Sequence, residues 1–448
     1  MKIKVFDQSI NYFYGEDNSL KCMYWHSTDV YILFNDQNVF EFVSDVEQAD
    51  IVAIMFPLTR AHGQLEQQIE SALHKFNKDQ ILIHMNFLFH IDEFVMNRYT
   101  LEEYSTAFDN ANIPCKLVHL HTDISLRDNI AIKGNPYNIK NFVYTDFLFN
   151  RSHTLHFNNE LISANWHNIE KKNHWYNYTS VDNRTFPDYL FKITPDKEII
   201  PTLDRFLKRT SGNYELTPKI FVAPNNSRRG VYDGSAIVRS EIRKRLNKFL
   251  YDYQGYIGDV SQGTVLVSQQ HFHDDDDLFN VLGINGWGFS PPHNDYYNTS
   301  TLSIYAETIL FNEIHRTRCI TEKTFTPLCK AHFIMPFGAP GTVATLKDEY
   351  GFKFPDWIDY SYDNIGIDTY AGGGSDEGTM RMLLESKQWE AYLSSVKNVC
   401  EMDPVTLYHY KRADFNKDGI LLHNRNIMKN FGQKHGLGDP QILQEIMS

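Results

Sequence analysis

The stretch that decides the fold contains two runs, Arg318-Cys-Ile-Thr-Glu-Lys-Thr-Phe-Thr-Pro-Leu328 and Phe333-Ile-Met-Pro-Phe337. The second run is short and apolar throughout, which is typical of a buried strand. It leads through the turn Gly338-Ala-Pro-Gly341 into a helix-like run that ends at Gly351. This order of helix, strand, turn and helix indicates an α/β protein.

Within the first run, a Glu-Lys pair precedes a predicted short helix. Thr326 followed by Pro327 is suited to an N-cap with proline at the first helical position. Helix N-termini that follow strands are common phosphate sites in α/β proteins. Beside such a site, Lys323 can neutralise a diphosphate and Glu322 can accept hydrogen bonds from the hydroxyls of a ribose. The alternative interpretation of the pair is a surface ion pair that contributes little.

Outside this stretch, the apolar periodicity alternates between strands and helices, which predicts a mostly parallel, doubly wound sheet. Strands are predicted at Lys2–Phe6, Val30–Phe34, Asp50–Phe56, Gln80–Met85, Lys116–His121, Asn141–Asp146, Lys219–Ala223 and Ser303–Ile309. Helices are predicted at Gly63–Phe76, Leu101–Ala111, Ser235–Leu250 and Thr379–Glu401, with a further helix capped by Asp403-Pro404. Gly255–Ser261 is predicted to be a short connection.

The 448 residues are enough for two domains of ordinary size. Thr210-Ser-Gly-Asn213 and Pro218 have the composition of a linker. We therefore expect an N-terminal domain over residues 1–210 and a C-terminal domain over residues 211–448, with the last helices packing back on the first domain.

The composition is that of a soluble globular protein, with 42% hydrophobic and 22% charged residues. The net charge of −13 argues against broad electrostatic adhesion to nucleic acid or to anionic membranes. A local basic cleft is still compatible with this charge, and the candidates for it are Arg228, Arg229, Lys244 and Arg245.

The cysteines and the start of the chain favour a cytoplasmic location. The five cysteines are scattered and lack CxxC spacing, which is typical of reduced thiols. The chain starts directly with a predicted strand and without a signal peptide. No run approaches the roughly 20 apolar residues of a spanning helix, so we expect no membrane contact.

A second candidate anion site follows the strand that ends near Ala223. The polar loop Pro224–Gly230 contains Asn225, and the helix after it carries Arg239 in its early turns. A strand, a polar loop and a helix with an early arginine favour anion binding. The alternative is a solvated basic face on an amphipathic helix.

The cluster His271-Phe-His-Asp-Asp-Asp-Asp277 combines residue types that bind divalent metals. Consecutive aspartates in a polar stretch are more typical of a solvated loop, and no clear strand precedes them. We therefore predict no metal site.

The central stretch resembles the donor-binding signature of the fucosyltransferase-like GT-B glycosyltransferases. Thr321-Glu-Lys323, Pro327 and Phe333–Gly338 carry the resemblance, and the segment from Gly351 to Asp363 is similar to enzymes of this kind in large viral, including phage, genomes. The resemblance covers roughly the C-terminal half. It implies two Rossmann-like domains that face a cleft, a UDP- or GDP-linked sugar donor, inverting transfer, and no obligatory metal or cofactor.

The resemblance also implies roles for individual residues. Arg239, in a pattern with Asn225, corresponds to the arginine that contacts the donor diphosphate. Glu307 lies where similar proteins carry a polar residue on the strand before the central stretch. Thr321, Glu322 and Lys323 complete the predicted donor site. Cys319 and Glu313 depart from the family pattern, which leaves the identity of the sugar and nucleotide open.

An inverting transfer also needs a base, which we expect from the first domain at the ends of its strands. Glu93 is the first candidate, and Asp123 and Asp146 are further ones. The acceptor is either a glycan or a hydroxymethylated base in viral DNA. The alternative from another class is a non-catalytic nucleotide- or sugar-binding protein on a GT-B scaffold.

Overall fold

A computed structural model describes residues 2–7, 11–14, 20–23, 27–55, 77–86, 110, 116–121, 142–165, 195–199, 201, 219–225, 238, 241–242, 245, 255–259, 264–267, 297, 300–307, 320–365, 382–431 and 437–448. The chain divides into two compact units. The first comprises Met1–Phe186 and Phe431–Ser448, and the second comprises Pro187–Asn430. The expected boundary at residue 210 stays a prediction, and of the last helices only the final one lies wholly in the first unit.

The strands, in chain order, are β1 (Ile3–Asp7), β2 (Asn11–Tyr14), β3 (Leu20–Met23), β4 (Phe40–Phe42), β5 (Ile51–Met55), β6 (Ile81–Asn86), β7 (Lys116–His121), β8 (Phe142–Tyr144), β9 (Lys219–Asn225), β10 (Gly255–Asp259), β11 (Thr264–Val267), β12 (Ser300–Ala306) and β13 (Phe333–Phe337). The helices whose bounds are described are α1 (Ser27–Leu33), α2 (Phe147–Phe157), α3 (Glu322–Cys329), α4 (Thr342–Asp348), α5 (Lys387–Cys400), α6 (Pro404–Asp414), α7 (Ile420–Phe431) and α8 (Pro440–Met447). Short 3₁₀ turns lie at Val46–Gln48 and Ser361–Asn364.

The first unit contains a six-stranded parallel sheet in the order β4-β1-β5-β6-β7-β8. The order reverses direction between β1 and β5, which is where doubly wound sheets of this kind bind ligands. A separate antiparallel hairpin pairs β2 with β3. Helix α8 is tied to the sheet by Lys116, whose Nζ donates to the carbonyl oxygen of Ile446 at 2.9 Å.

The second unit contains a five-stranded sheet in the order β11-β10-β9-β12-β13. All neighbouring strands are parallel except β10 and β11. Numbered among the described strands of the unit, this order is 3-2-1-4-5, with strand 3 antiparallel, and it reverses between β9 and β12. Open α/β sheets bind ligands at such a reversal. The chain is therefore an α/β protein with parallel sheets, as its sequence pattern predicts.

The core of the second unit lies against β12 and β13, whose residues are all buried. Helix α5 covers them with Trp389 and Tyr392, whose rings lie 5.0 Å and 4.8 Å from the ring of Phe337. The Tyr392 hydroxyl donates to the carbonyl oxygen of Met335 at 3.2 Å. Pro336 is tolerated in β13 because this strand is at the edge of the described sheet, where a missing N–H is not costly.

Several predicted elements need correction. Val30–Phe34 was predicted to be a strand, but Val30 to Leu33 lie in helix α1 and Phe34 follows it, because a short apolar run has no period that separates a strand from a buried helix. Gly255–Ser261 contains the strand β10, since pairing with β9 and β11 overrides its weak strand propensity. The helix predicted at Thr379–Glu401 is interrupted, and α5 starts afresh after its N-cap Ser386.

At the amino ends of β12 and β13, buried basic side chains are bonded to backbone carbonyls. The Lys411 Nζ donates to the oxygens of Ser300 at 2.7 Å and Tyr297 at 3.2 Å. The His332 imidazole Nε2 donates to the same Tyr297 oxygen at 2.7 Å, so its Nδ1 accepts from Ser303 Oγ at 3.1 Å. Burial, together with the charge of Lys411, lowers the pKa of His332 well below its ordinary value, which keeps this ring neutral.

The same region contains Arg425, whose Nε donates to Asp196 Oδ1 at 2.7 Å. Burial, and to a smaller extent the charge of Arg425, lowers the pKa of Lys411 to about 7. Burial also lowers the pKa of Lys330 to about 7. The two lysines therefore lose their protons in the folded protein at a pH at which an unfolded chain keeps them.

We expect the free energy of unfolding to rise between pH 7 and pH 9. The unfolded state binds more protons than the folded state in this window, so stability increases with pH, by up to about 2 kcal/mol for each lysine. Lys411→Met should reduce this slope in denaturant titrations at pH 7, 8 and 9. The control is Lys397→Met, since the Lys397 side chain is 54% exposed in its pair with Glu401. An equal slope in wild type and Lys411→Met would contradict the assignment.

Candidate functional site

The carboxyl ends of β9 and β12 meet where the strand order of the second sheet reverses. Ser303 of β12 pairs with Val222 of β9, and continuing this register by three residues places Ala306 beside Asn225. Asn225 in turn pairs with Asp259, the last residue of β10. Asn225 and Asp259 therefore end β9 and β10, and Glu307 directly follows β12. All three lie at the edge where open α/β sheets bind ligands.

Glu307 follows β12 directly and is bonded to the start of α3. Its Oε2 accepts from Thr321 Oγ1 at 2.6 Å, and its Oε1 accepts from the Thr321 amide at 3.3 Å. Oε1 also accepts from Thr324 Oγ1 at 2.5 Å. The Glu307 amide donates to the carbonyl oxygen of Phe337 at 2.9 Å, which holds the residue level with the end of β13. The side chain is 0% exposed, so it does not reach solvent.

Helix α3 begins five residues earlier than predicted, since its N-cap is Thr321 rather than Thr326. Thr321 has extended backbone angles, and its hydroxyl oxygen accepts from the Lys323 amide at 3.3 Å. Pro327 lies inside the helix, which ends soon after it. A tertiary contact explains the earlier start of the helix. Glu307 accepts hydrogen bonds from Thr321 and so selects Thr321, and not Thr326, as the cap.

Glu322 and Lys323 therefore form the first turn of α3 instead of preceding it. The Lys323 side chain is partly exposed at this turn. A cation at the positive end of a helix dipole is unfavourable unless an anion lies nearby. A conflict of this kind between local preference and position is typical of functional sites, and here the anion is either a protein carboxylate or a bound ligand.

The N-terminus of α4, which follows β13 and its turn, holds a carboxylate of the protein itself. Asp363 Oδ1 accepts from the Val343 amide and Oδ2 from the Ala344 amide, both at 2.9 Å. The Gly341 amide donates to the Asp363 carbonyl oxygen at 2.8 Å, with Gly341 at a φ of 86°. The strand-turn-helix geometry recognised in the sequence thus binds an internal anion at this terminus, so of α3 and α4 only α3 remains a candidate for a bound phosphate.

Of the predicted catalytic residues, the structure places Asp146. It follows β8, the edge strand of the described first sheet, and caps α2, with Oδ1 accepting from the Phe149 amide at 3.3 Å. Glu93 and Asp123 lie outside the described residues, as do Arg239 of the predicted donor site and the whole of His271–Asp277. The structure therefore brings together Glu307, Thr321, Glu322 and Lys323, with Asn225 at the same sheet edge.

Sequence reasoning missed Thr324 and Asp363, and it gave no role to Asp7. Thr324 lies three residues after Thr321, a helical spacing that could have identified it once Thr321 was known to be the cap. Asp363 follows Gly341 by 22 positions along the sequence, and no local pattern joins the two. Asp7 is a buried carboxylate at the end of β1, where the order of the first sheet reverses. Burial and, secondarily, Asp7 raise the pKa of Tyr31 to about 12.

No protein-family model matches the chain, and a search of curated proteins finds no match either. Within the described ranges, no three metal-ligating side chains are grouped as a metal ion would require. The helices of this same part of the chain include none with the length and apolar character needed to cross a membrane.

Replacing Asp363 by alanine should destabilise the second unit without changing its affinity for nucleotides. The change removes two hydrogen bonds from a helix N-terminus, and we expect a loss of about 1–2 kcal/mol in the free energy of unfolding. Asp403→Ala is the matched control, because Asp403 caps α6 through the Thr406 amide at 2.9 Å and is exposed. Tighter nucleotide binding in Asp363→Ala, measured by calorimetry, would instead place the ligand at α4, because the change frees the amides of Val343 and Ala344 for a phosphate.

Proposed function

We propose that the protein is a glycosyltransferase that moves a sugar from a UDP- or GDP-linked donor to an acceptor hydroxyl. The observation that carries the proposal is the arrangement of the predicted donor residues. Glu307, Thr321, Glu322 and Lys323 were selected from the sequence as a donor site, and in the structure they gather at the carboxyl end of β12, one of the two strands between which the second sheet reverses its order. That position is the usual ligand site of a Rossmann-type sheet.

The resemblance supports the finer assignment, a GT-B fold in which the second Rossmann-like domain binds the donor. In this proposal Lys323 and Arg239 neutralise the diphosphate as it leaves, and Glu322 accepts hydrogen bonds from the ribose. Transfer is inverting and needs no metal, because the two cations take over the neutralisation of charge. A carboxylate of the first domain, with Glu93, Asp123 and Asp146 as candidates, deprotonates the acceptor.

Lys323→Ala should abolish binding of the nucleotide diphosphate while the fold persists. A thermal-shift panel of nucleotides and nucleotide sugars comes first, since binding stabilises the native state by mass action. One nucleotide diphosphate should raise the melting temperature of the wild type, and one of its sugars should raise it further. The variant should lose both shifts, because the neutralising charge at the start of α3 is gone.

Lys397→Ala is the control for the loss of one positive charge, since Lys397 lies on α5 in an exposed pair with Glu401. Its nucleotide shifts should equal those of the wild type. Unchanged affinity in Lys323→Ala would contradict the donor site. Two results together would favour the non-catalytic binding protein. The protein would bind a nucleotide without turnover on any acceptor, and the carboxylates at positions 93, 123 and 146 could be replaced without effect.

The acceptor is a glycan or a hydroxymethylated base in viral DNA, and salt separates the two. Contacts to DNA phosphates weaken steeply as salt increases, by about a thousandfold or more between roughly 50 and 200 mM for a protein that makes many such contacts. If DNA is the acceptor, its binding, measured by fluorescence anisotropy, should be lost over this range. Binding of a neutral glycan should change little.

A further inference from the structure

The buried carboxylate of Glu307 is hydrogen-bonded to α3, and the donor and the acceptor of each hydrogen bond can be assigned. Thr321 Oγ1 accepts from the Lys323 amide and donates to Glu307 Oε2. Thr324 Oγ1 donates to Glu307 Oε1, so in its 2.7 Å contact with the Tyr305 hydroxyl it is the acceptor. Glu307 therefore receives hydrogen bonds at both oxygens, as an ionised carboxylate does.

Tyr305 completes this arrangement from within β12. Its ring is fully buried, and burial, followed by the nearby charge of Glu307, raises the pKa of Tyr305 well above its ordinary value. The phenol thus keeps its proton and remains a donor to Thr324. The strand and the helix are consequently connected through a continuous series of oriented donors and acceptors from Tyr305 through Thr324 and Glu307 to Thr321.

This connection places the whole first turn of α3 in one position relative to the sheet. Thr321 is the N-cap and Thr324 lies three residues further on, so both face β12 on the same side of the helix. Glu322 and Lys323 lie between them. If the backbone of these two residues moves relative to the sheet, buried hydrogen bonds to the charged Glu307 must break. Hydrogen bonds to charged groups are among the stronger ones in proteins.

We propose that Glu307 is a positioning residue that acts through Thr321 and Thr324 to align Glu322 and Lys323 for the donor. The inference rests on the proposed function and assigns Glu307 an indirect role in it. With no exposed surface, Glu307 does not touch the donor in this conformation; its position instead determines where the charge of Lys323 is presented.

The central test is Thr324→Val, which keeps the shape of the side chain but removes the hydroxyl that Glu307 accepts from. Thr324→Ser restores the hydroxyl. Thr345→Val is the matched control, since Thr345 is also a buried helical threonine, bonded to the Gly341 carbonyl oxygen at 2.9 Å in α4. Glu307→Gln is a second variant, in which the amide group would leave a threonine hydroxyl without its acceptor.

Two measurements are made on each full-length variant. The first is hydrogen–deuterium exchange at the amides of residues 322–325 without nucleotide. The second is the affinity for the nucleotide diphosphate that binds the wild type most tightly. In Thr324→Val and Glu307→Gln we expect faster exchange confined to this turn and affinity reduced by at least about fivefold. Thr324→Ser and Thr345→Val should behave as the wild type.

The outcomes distinguish this inference from the proposed function. Unchanged exchange in Thr324→Val would show that the carboxylate does not hold the turn. Faster exchange with unchanged affinity would show that the position of the turn does not govern donor binding. Either result overturns the inference while the donor site stands. If the wild-type protein binds no nucleotide, both the proposed function and the positioning role are overturned.

Discussion

The pairing of β12 between β9 and β13 is the constraint on which the described part of the second unit depends. This strand is buried along its whole length, and its register with both neighbours brings three carboxyl ends to one level. Glu307 occupies the first position after the strand, so the register also decides where the first turn of α3 begins. The candidate site is therefore a consequence of strand pairing, with side-chain hydrogen bonds completing it.

The two ends of this sheet have opposite electrostatic character. At the amino ends, Lys411 and His332 are bonded to carbonyl groups, and desolvation favours their neutral forms. Near the carboxyl ends, Glu307 and Asp363 accept several hydrogen bonds each from hydroxyls and backbone amides. The basic and the acidic side chains are all buried. Hydrogen-bond donors compensate the negative charge of the two carboxylates, whereas the lysine loses much of its positive charge near neutral pH.

The sequence was sufficient for the α/β class with parallel sheets and for most of their strands, because strand-like and helix-like runs alternate along the chain. A single short apolar run was not sufficient, since Val30 to Leu33 lie in a helix. The resemblance assigned Glu307, Thr321, Glu322 and Lys323 to one donor site; the four lie close together in the structure, and their role in binding a donor stays a prediction. The sequence could not predict which threonine caps α3, because Glu307 makes that selection from 14 residues away. The cap on α4 was missed for the same reason, since Asp363 lies 20 residues from the amide of Val343.

The buried bonds between Glu307 and the two threonines also restrict how this chain can diverge. A change at position 307 alone would leave both hydroxyls without their acceptor in the core, and a change at either threonine alone would leave a carboxylate oxygen short of a donor. Coupled residues of this kind do not act additively. Positions 307, 321 and 324 should accordingly evolve as a set. Serine is the easiest replacement for either threonine, because it keeps the hydroxyl. The other stable combination has apolar residues at all three positions.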